Sequence, residues 1–467
     1  MSFTGLKKQW LKNYETVPQS LENVKTIKTA ATAFNANVDA VIKISGKRLA
    51  ELVKLQKISL ENLLNIQRNS LDEPSDVVKG IFKCFKGGIA EEWLTEDINI
   101  YNWMVENIGY DRLQMGGQGG IVANVLGVTG IQKVYVHTNS MPKLQADQFI
   151  KENNIYSFDE KGNEKAAHQI DRSDDIPLIH WIIEFDKGDE VEIEGQKFVC
   201  PKSNRFIATY DPLNLNLVKD KFFVENLCKN DKEFIVLSGF HALTEKSNGL
   251  KLLEEALPII KEWKKTSFKG VLHLEIASTQ DKKIRKEIVE NFAPISDSVG
   301  VNERETIDIL EVIDEEELAQ VCEKDTHSVN LFKGLMKIKQ YVKCARIQLH
   351  MFGLYITLQD KNFKISPKAN LQGMELAATV AAGKAGTGSI NEKKNLLWAH
   401  GKEVSDVGLN ELYEVSRYIG DDNLLSSGIS SYGGFDVIAI PTILVEKPIT
   451  LVGMGDTISS TSLIGTR

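Results

Sequence analysis

ITLVGMGDTISST (residues 449–461) sets an apolar run directly before two glycines, an aspartate and a helical stretch. Residues 449–452 are expected to form a strand and the residues after the glycines a short terminal helix. Gly453 and Gly455 let the backbone turn tightly with its N–H groups exposed, and the helix start adds the positive end of a dipole. Together they make a hole for an anion, with the Asp456 carboxylate at its mouth, where it can take a proton from an attacking hydroxyl. A plain glycine-rich turn with Asp456 as helix N-cap accounts for the same residues.

Further toward the N-terminus the strand-and-helix rhythm repeats. β-rich runs stand at 29–34, 133–138, 180–185, 205–211, 234–240, 270–278 and 345–358, several of them too continuously apolar for half-exposed strands. Between them lie stretches such as 248–265, where Leu250, Leu253, Ala256, Leu257, Ile260 and Trp263 form one helical stripe. This alternation implies an α/β fold, a mainly parallel sheet with helices on both faces. Two segments break it. Residues 46–110 are helix-rich and charged, and 165–204 alternate like an antiparallel ribbon turning near Gly195. They are expected to be insertions forming a small β-rich lid domain (46–110 and 165–204) on a large domain (1–45, 111–164 and 205–467). Such a lid leaves a cleft whose closure keeps water from an activated phosphoryl group.

Composition narrows the class. With 467 residues, 42% hydrophobic and 26% charged, the chain can bury a large core and is not a disordered protein. The formal net charge of −8 gives no pull toward nucleic acid or an anionic membrane. The odd set Cys84, Cys200, Cys228, Cys322 and Cys344 shows no C-x-x-C spacing and reads as reduced core residues. The polar N-terminal stretch lacks an apolar signal core, and no run approaches the roughly 18 apolar residues of a membrane span, so a cytoplasmic protein is expected.

Two familiar phosphate motifs fail. In AAGKAGTGS (381–389) Lys384 is followed by alanine and the upstream glycine of a P-loop is missing, so the segment reads as an Ala-rich helix ending at Gly386. Ile458 and Val122 occupy the third glycine positions of the two G-x-G sites, which removes the dinucleotide fingerprint. Other polar residues are placed for chemistry. Asn35, Asn37 and Asp39 alternate at the end of the first strand, where one face could hold sugar hydroxyls or an Asx-rich turn could form. The run 115–130 rings Gln118 with glycines, Gly117 among them, and serves either as a polar floor under a ligand or as tight strand-helix packing. Glu275 stands on an apolar strand, where a carboxylate needs a partner. Glu275 and Glu305 could hold Mg²⁺ through waters while Asn302 reaches a phosphate oxygen, although Glu305 alone also fits a solvated helix start. His350 reads from its surroundings as a core histidine.

Taken together, N-x-N-x-D (35–39), G-G-Q-x-G-I (116–121), HWIIEF (180–185), NRFI (204–207), H-x-E (273–275), N-x-x-E (302–305) and G-x-G-D (453–456) resemble the ADP-dependent sugar kinases of archaea. This is the glucokinase and phosphofructokinase family within the ribokinase-like superfamily, and the bifunctional type of methanogens is similar throughout. The resemblance implies a ribokinase-like α/β core with a β-rich lid, ADP as phosphoryl donor, AMP as product, and fructose 6-phosphate and then glucose as acceptors. It implies Asp456 as base, the Gly453 and Gly455 backbone as anion hole, and Glu275 and Glu305 as Mg²⁺-associated glutamates. It also implies Asn302, His350 and Val445 at the nucleotide, Asn35, Asn37, Asp39, Gly117, Gln118 and Glu91 at the sugar, and Arg205 at the substrate or nucleotide phosphate; a sugar phosphate needs cationic partners, for which Arg205 and Lys165 are the candidates. Glu91 is expected to favour glucose, with Glu92 one residue away, and Lys165 to favour the sugar phosphate. Expected partners are ADP, AMP and sugars, with no nucleic acid and no membrane, in a monomer or small homo-oligomer. An ATP-dependent ribokinase-like kinase for another sugar or a nucleoside, and a silent sugar-binding regulatory protein, remain the competing readings.

Overall fold

The structure, a computed structural model, describes residues 3–67, 69–229, 232–266, 269–279 and 281–467. Its strands along the chain are β1 (Ala30–Ala33), β2 (Asn37–Lys43), β3 (Glu91–Thr95), β4 (Arg112–Gly116), β5 (Val134–Val136), β6 (Ile155–Phe158), β7 (Glu164–Ala166), β8 (Ile179–Phe185) and β9 (Glu190–Ile193). They continue as β10 (Gln196–Val199), β11 (Asn204–Tyr210), β12 (Phe234–Leu237), β13 (Val271–Glu275), β14 (Ser298–Val301), β15 (Arg346–Met351), β16 (Leu354–Gln359), β17 (Ile429–Tyr432) and β18 (Phe435–Pro441).

An 11-stranded sheet runs β17-β18-β16-β15-β14-β13-β12-β1-β5-β6-β7. Its centre, from β15 through β1 to β6, is parallel, and antiparallel pairs close both ends. The central strands are buried on both faces, which is why they read as unbroken apolar runs. The run 345–358 is a hairpin, since Gly353 at φ +86 turns β15 back as β16.

A second, 5-stranded sheet has the order β3-β11-β8-β2-β4. It takes its strands from both sides of the expected boundaries: β2, β4 and β11 lie in segments assigned to the large part, yet β11 pairs with β3 and β8, β2 with β8, and β4 joins through β2. The core under this sheet runs from Val38 to Tyr210 and includes Trp93, Trp181 and Phe206, so pairing and burial, rather than the helix-rich composition of 46–110, mark its extent. The expected ribbon is present as β9 and β10, with Gly195 in its turn. Residues 34–36 carry the chain from the large sheet to the small one.

Two expectations at the C-terminus change. Residues 449–452 form no strand; they run as an irregular strap over the open face of the small sheet with Ile449 and Leu451 exposed, and the Ile449 N–H is taken by the Ala385 carbonyl at 2.7 Å rather than by a neighbouring strand. The Ala-rich helix passes through Gly386 and runs Pro367–Thr387, capped by Gly388. It lies directly on the terminal helix Met454–Ile464, so close that a Cβ at Gly373 would stand 2.1 Å from the Ser462 carbonyl oxygen. Among the described residues no helix is long and apolar enough to cross a membrane. Gly373→Ala should therefore force these helices apart and lower stability by about 1–3 kcal/mol, read as an earlier midpoint in urea unfolding.

Candidate active site

The carboxyl ends of β1, β12, β13 and β14 lie in one neighbourhood of the large sheet, the usual place for a ligand in an open α/β fold. Asn35 follows β1, Gly239 follows β12, Glu275 ends β13 and Asn302 follows β14. Glu275, Asn302, Glu305, His350, Val445 and residues 453–456 line one cleft of about 700 Å³.

Asp456 sits in the first turn of Met454–Ile464 and is 8% exposed. Its Oδ1 accepts from Gln118 Nε2 at 3.1 Å, while Gln118 Oε1 accepts from the Gly239 N–H at 2.9 Å. Gln118 thereby ties the Asp456 turn to the loop after β12. Burial raises the Asp456 pKa, and Lys384, Gln118 and His241 oppose the rise. Gly453 adopts φ +62, and its carbonyl accepts from Lys384 Nζ at 3.0 Å. Lys384 also donates to Thr457 Oγ1 at 3.1 Å. Once the P-loop pattern fails, the sequence gives this lysine no role, because the alanines and glycines around it mark a structural helix; the available signal is a lone cation among small residues.

Glu275 is buried, as its strand demands, and has the partner that burial requires. Its Oε2 lies 3.1 Å from His273 Nε2, and His273 Nδ1 lies 2.9 Å from Ser298 Oγ. Ser298 Oγ accepts in turn from Arg346 Nη1 at 2.9 Å. Arg346 is wholly buried and spends its other donors on Asn370, Gln348 and Ser462, a role no local sequence signal announces. Burial, then the charges of Glu305 and Asp456, hold the Glu275 carboxyl well above the usual carboxylate range. His350 Nε2 is 3.5 Å from Glu275 Oε1, and its buried Nδ1 has no partner among the described residues. Burial pushes the His350 pKa down to about 4. The histidine is thus a neutral group of the cleft wall, not the satisfied core residue its surroundings suggested.

Glu305 is 6% exposed and not a solvated helix-start charge. It forms a capping box with Asn302 at the head of the helix Glu303–Leu310: Asn302 Oδ1 accepts from the Glu305 N–H at 2.9 Å, and Glu305 Oε2 accepts from the Asn302 N–H at 2.8 Å. Among the described residues no group of three or more His, Cys, Asp and Glu side chains is arranged to enclose a metal ion. Ile443, Val445, Met351, Tyr355 and Ala382 give the far end of the cleft an apolar lining.

The other wall comes from the small sheet, where alternation sorts the side chains. Asp39 on β2 lies opposite Gln114 on β4 and His180 on β8, and His180 lies opposite Thr209 on β11. These share one face, while Val38, Trp181, Ala208 and Trp93 fill the helix-covered face. Glu91 follows Trp93 to the covered side: its Oε2 accepts from Lys83 Nζ and from Trp93 Nε1, each at 2.8 Å. Glu92 faces the other way, accepts from Thr209 Oγ1 at 2.6 Å and lies 4.0 Å from His180 Nδ1. Of the two expected candidates, the geometry thus brings Glu92 to the site and not Glu91. His180 Nε2 meets Asp211 Oδ2 at 3.0 Å; burial works to lower its pKa, but Asp211, Glu92 and Asp39 outweigh burial and raise it.

Asn35 lies in the link between the sheets, and only Asn37 and Asp39 share the strand face expected for all three. Asn37 Nδ2 donates to Asp39 Oδ1 at 3.1 Å, while the buried Oδ1 atoms of Asn35 and Asn37 have no partner among the described residues. The run 115–130 closes on this trio: a Cβ at Gly116 would stand 2.1 Å from Asp39 Oδ1, and one at Gly117 2.6 Å from Asn37 Oδ1. Both readings of that run hold, since its glycines pack tightly in order to border a polar floor. Lys165 does not join the site. It pairs with Asp159 at 2.9 Å on β7, the edge strand of the large sheet. Arg205 shares the open face of the small sheet with Arg112, and both line a gap of about 210 Å³ beneath the strap 448–452.

Comparison with known proteins agrees with this arrangement. The family model described as the ADP-specific Phosphofructokinase/Glucokinase conserved region matches residues 28–465. The chain is 32% identical to an ADP-dependent glucose/glucosamine kinase of Pyrococcus abyssi, over 97% of this chain and 96% of that one. A solved structure of the last common ancestor of ADP-dependent phosphofructokinases from Methanosarcinales superimposes with a TM-score of 0.85 at 30% identity, covering 100% of this chain and 99% of the other. A solved ADP-dependent kinase complex with fructose-6-phosphate and ADPβS gives 0.82 at 28% identity, covering 100% and 98%.

The cleft has a consequence for stability. Burial pushes the Glu305 carboxyl from 4.5 up to about 8, with the Asn302 N–H opposing the rise and the charges of Asp456 and Asp308 adding to it. A carboxyl raised in the folded state is protonated there while the unfolded chain has released its proton, so stability declines as pH rises between 4.5 and about 8. Glu305→Gln keeps an acceptor for the cap and should flatten that decline, measured as urea midpoints across this range.

Proposed function

The chain belongs to the ADP-specific phosphofructokinase/glucokinase family, whose ribokinase-like fold it has, and from that premise we propose that it transfers the β-phosphoryl group of ADP to a sugar hydroxyl, using fructose 6-phosphate and also glucose. The observation that carries the reading is Asp456: a buried carboxylate at the glycine turn, tied by Gln118 to the wall that holds Asn35, Asn37 and Asp39.

On this reading the acceptor hydroxyl lies between Asp456 and that polar floor. Asp456 accepts its proton as the oxygen bonds to the β-phosphorus, the bond from that phosphorus to the bridging oxygen breaks, and AMP departs. The N–H groups at Gly453 and Gly455 face the charge that develops on the phosphoryl oxygens. The apolar end of the cleft, with Val445, suits an adenine ring, and Asn302 and the neutral His350 suit a phosphate more than a second acid would. The donor set fits a hydrated Mg²⁺, because the Asp456 charge raises the pKa of both Glu275 and Glu305, and a cation held through its waters needs no enclosing cage. When bound, that ion offsets phosphate charge.

For the sugar, Glu92 takes the part expected of Glu91, since an open-face carboxylate beside His180 and Thr209 can accept from a hydroxyl. Arg205 and Arg112 are the cations suited to a phosphate, in place of Lys165. An assay of ADP and ATP against both sugars tests the reading, with AMP formed only from ADP and Asp456→Asn lowering turnover by about 10²- to 10⁴-fold. Turnover with ATP alone supports the broader ribokinase-like alternative; sugar binding without turnover supports the regulatory one. Glu92→Ala should raise KM for glucose by roughly tenfold or more, the worth of a charged hydrogen bond. Lys165→Ala should leave the KM of both sugars unchanged.

A further inference from the structure

Lys384 is 7% exposed, yet among the described residues no carboxylate closes an ion pair with it. Its ammonium group has three protons, and the acceptors it meets are neutral: the Gly453 carbonyl and Thr457 Oγ1. A buried cation with no anion against it is costly to hold, so its position calls for a reason. It stands directly behind the glycine turn. A Cβ at Gly453 would be 2.9 Å from Nζ. Beside it opens a separate cavity of about 570 Å³, lined also by Gln114 and Thr450, so Lys384 reaches the cleft through the turn and not by touching a ligand there.

We propose that Lys384 is the positioning residue of the anion hole, fixing the Gly453 carbonyl inward so that the N–H groups of the turn face the phosphoryl group in transit. The inference rests on the phosphoryl-transfer reading given above. The peptide whose carbonyl oxygen Lys384 binds is the one whose N–H belongs to Met454, at the head of the terminal helix, where N–H groups lack intrahelical acceptors. An ammonium on the carbonyl polarises that peptide and strengthens its N–H as a donor. The positive charge also lies where the site otherwise gathers acids. Burial lowers the Lys384 pKa to about 8, while Asp456 from the terminal helix and Asp39 from β2 act to raise it; Asp147, Lys151, Glu152 and Glu392 stand around the adjoining cavity.

The test compares the whole protein with Lys384→Met and Lys384→Arg. The methionine variant is expected to lose kcat by roughly 10²-fold, as when one oxyanion donor is removed, with the Kd of ADP nearly unchanged. Aluminium fluoride with AMP and sugar, a mimic of the group in transit, should tighten AMP binding in the wild type and not in Lys384→Met. Lys384→Arg should recover part of the kcat. Wild-type kcat should fall above about pH 8 and that of Lys384→Arg at a higher pH. A methionine variant with wild-type kcat overturns the proposal, and so does a parallel loss of kcat and ADP affinity that arginine does not relieve. If Lys384→Met does not fold, coincident pH limbs for wild type and Lys384→Arg overturn it. A wild type that transfers nothing from ADP overturns the functional reading itself; an active wild type beside an unaffected Lys384→Met overturns only the role of the lysine.

Discussion

Three carboxylates, Asp456, Glu275 and Glu305, are withheld from water in one cleft, and much of the surrounding structure follows from what that costs. Each is answered differently. Asp456 has a side-chain amide and a lysine at longer range, Glu305 has the backbone N–H of a helix cap, and Glu275 has a histidine backed through a serine by a buried guanidinium. Among the described residues none is joined to Lys or Arg in a direct, close pair. The cleft therefore keeps acids with raised pKa values, ready to give up protons beside a cation, at one end and a neutral, apolar surface at the other, an arrangement suited to a nucleotide that arrives with its own counterion.

The same logic explains why the site needs two sheets. A parallel sheet offers its strand ends, which hold acids and helix starts well, but it has no broad polar face, because helices cover both sides. The small sheet supplies that face. Its covered side is aromatic and aliphatic, and its open side carries Asp39, Gln114, His180, Thr209 and Glu92. The three-residue link 34–36 sets one against the other. Glycines let the second sheet come close: with any Cβ at 116 or 117 the polar floor would be pushed off the loop that carries Gln118.

The terminal helix is held with equal economy of space. Gly373 admits the Ser462 carbonyl, and the buried hydroxyls of Ser460 and Thr461 turn back to their own helix while that of Ser462 donates to Gln348. A helix packed through backbone contact has little freedom to slide, so the Asp456 turn is placed by the Ala-rich helix as much as by its own sequence. That helix delivers Lys384 behind the turn and Ala382 to the cleft wall three and five residues before its end.

What the sequence determined by itself was local: apolar runs buried on both faces, the capping pattern of N-x-x-E, the glycine turn before Asp456, and the order of motifs that together mark the family. These are legible because each depends on neighbours within a few residues. The tertiary structure decided whatever depends on which way a strand faces or what lies beyond a turn. A shift of one residue reverses a strand side chain, so Glu91 and Glu92 differ completely in surroundings while the sequence leaves them equivalent. Lys165 and Arg205 are both cations in the same region of the chain, yet one lies at the far edge of the large sheet and the other over the gap beneath the strap. Residues 449–452 have the composition of a strand, yet their Ile449 N–H goes to a helix-end carbonyl, and Lys384 sits in a helix whose composition speaks only of packing. Pairing, facing and the filling of edges are set by contacts distant in sequence, and those contacts exist only once the two sheets are assembled.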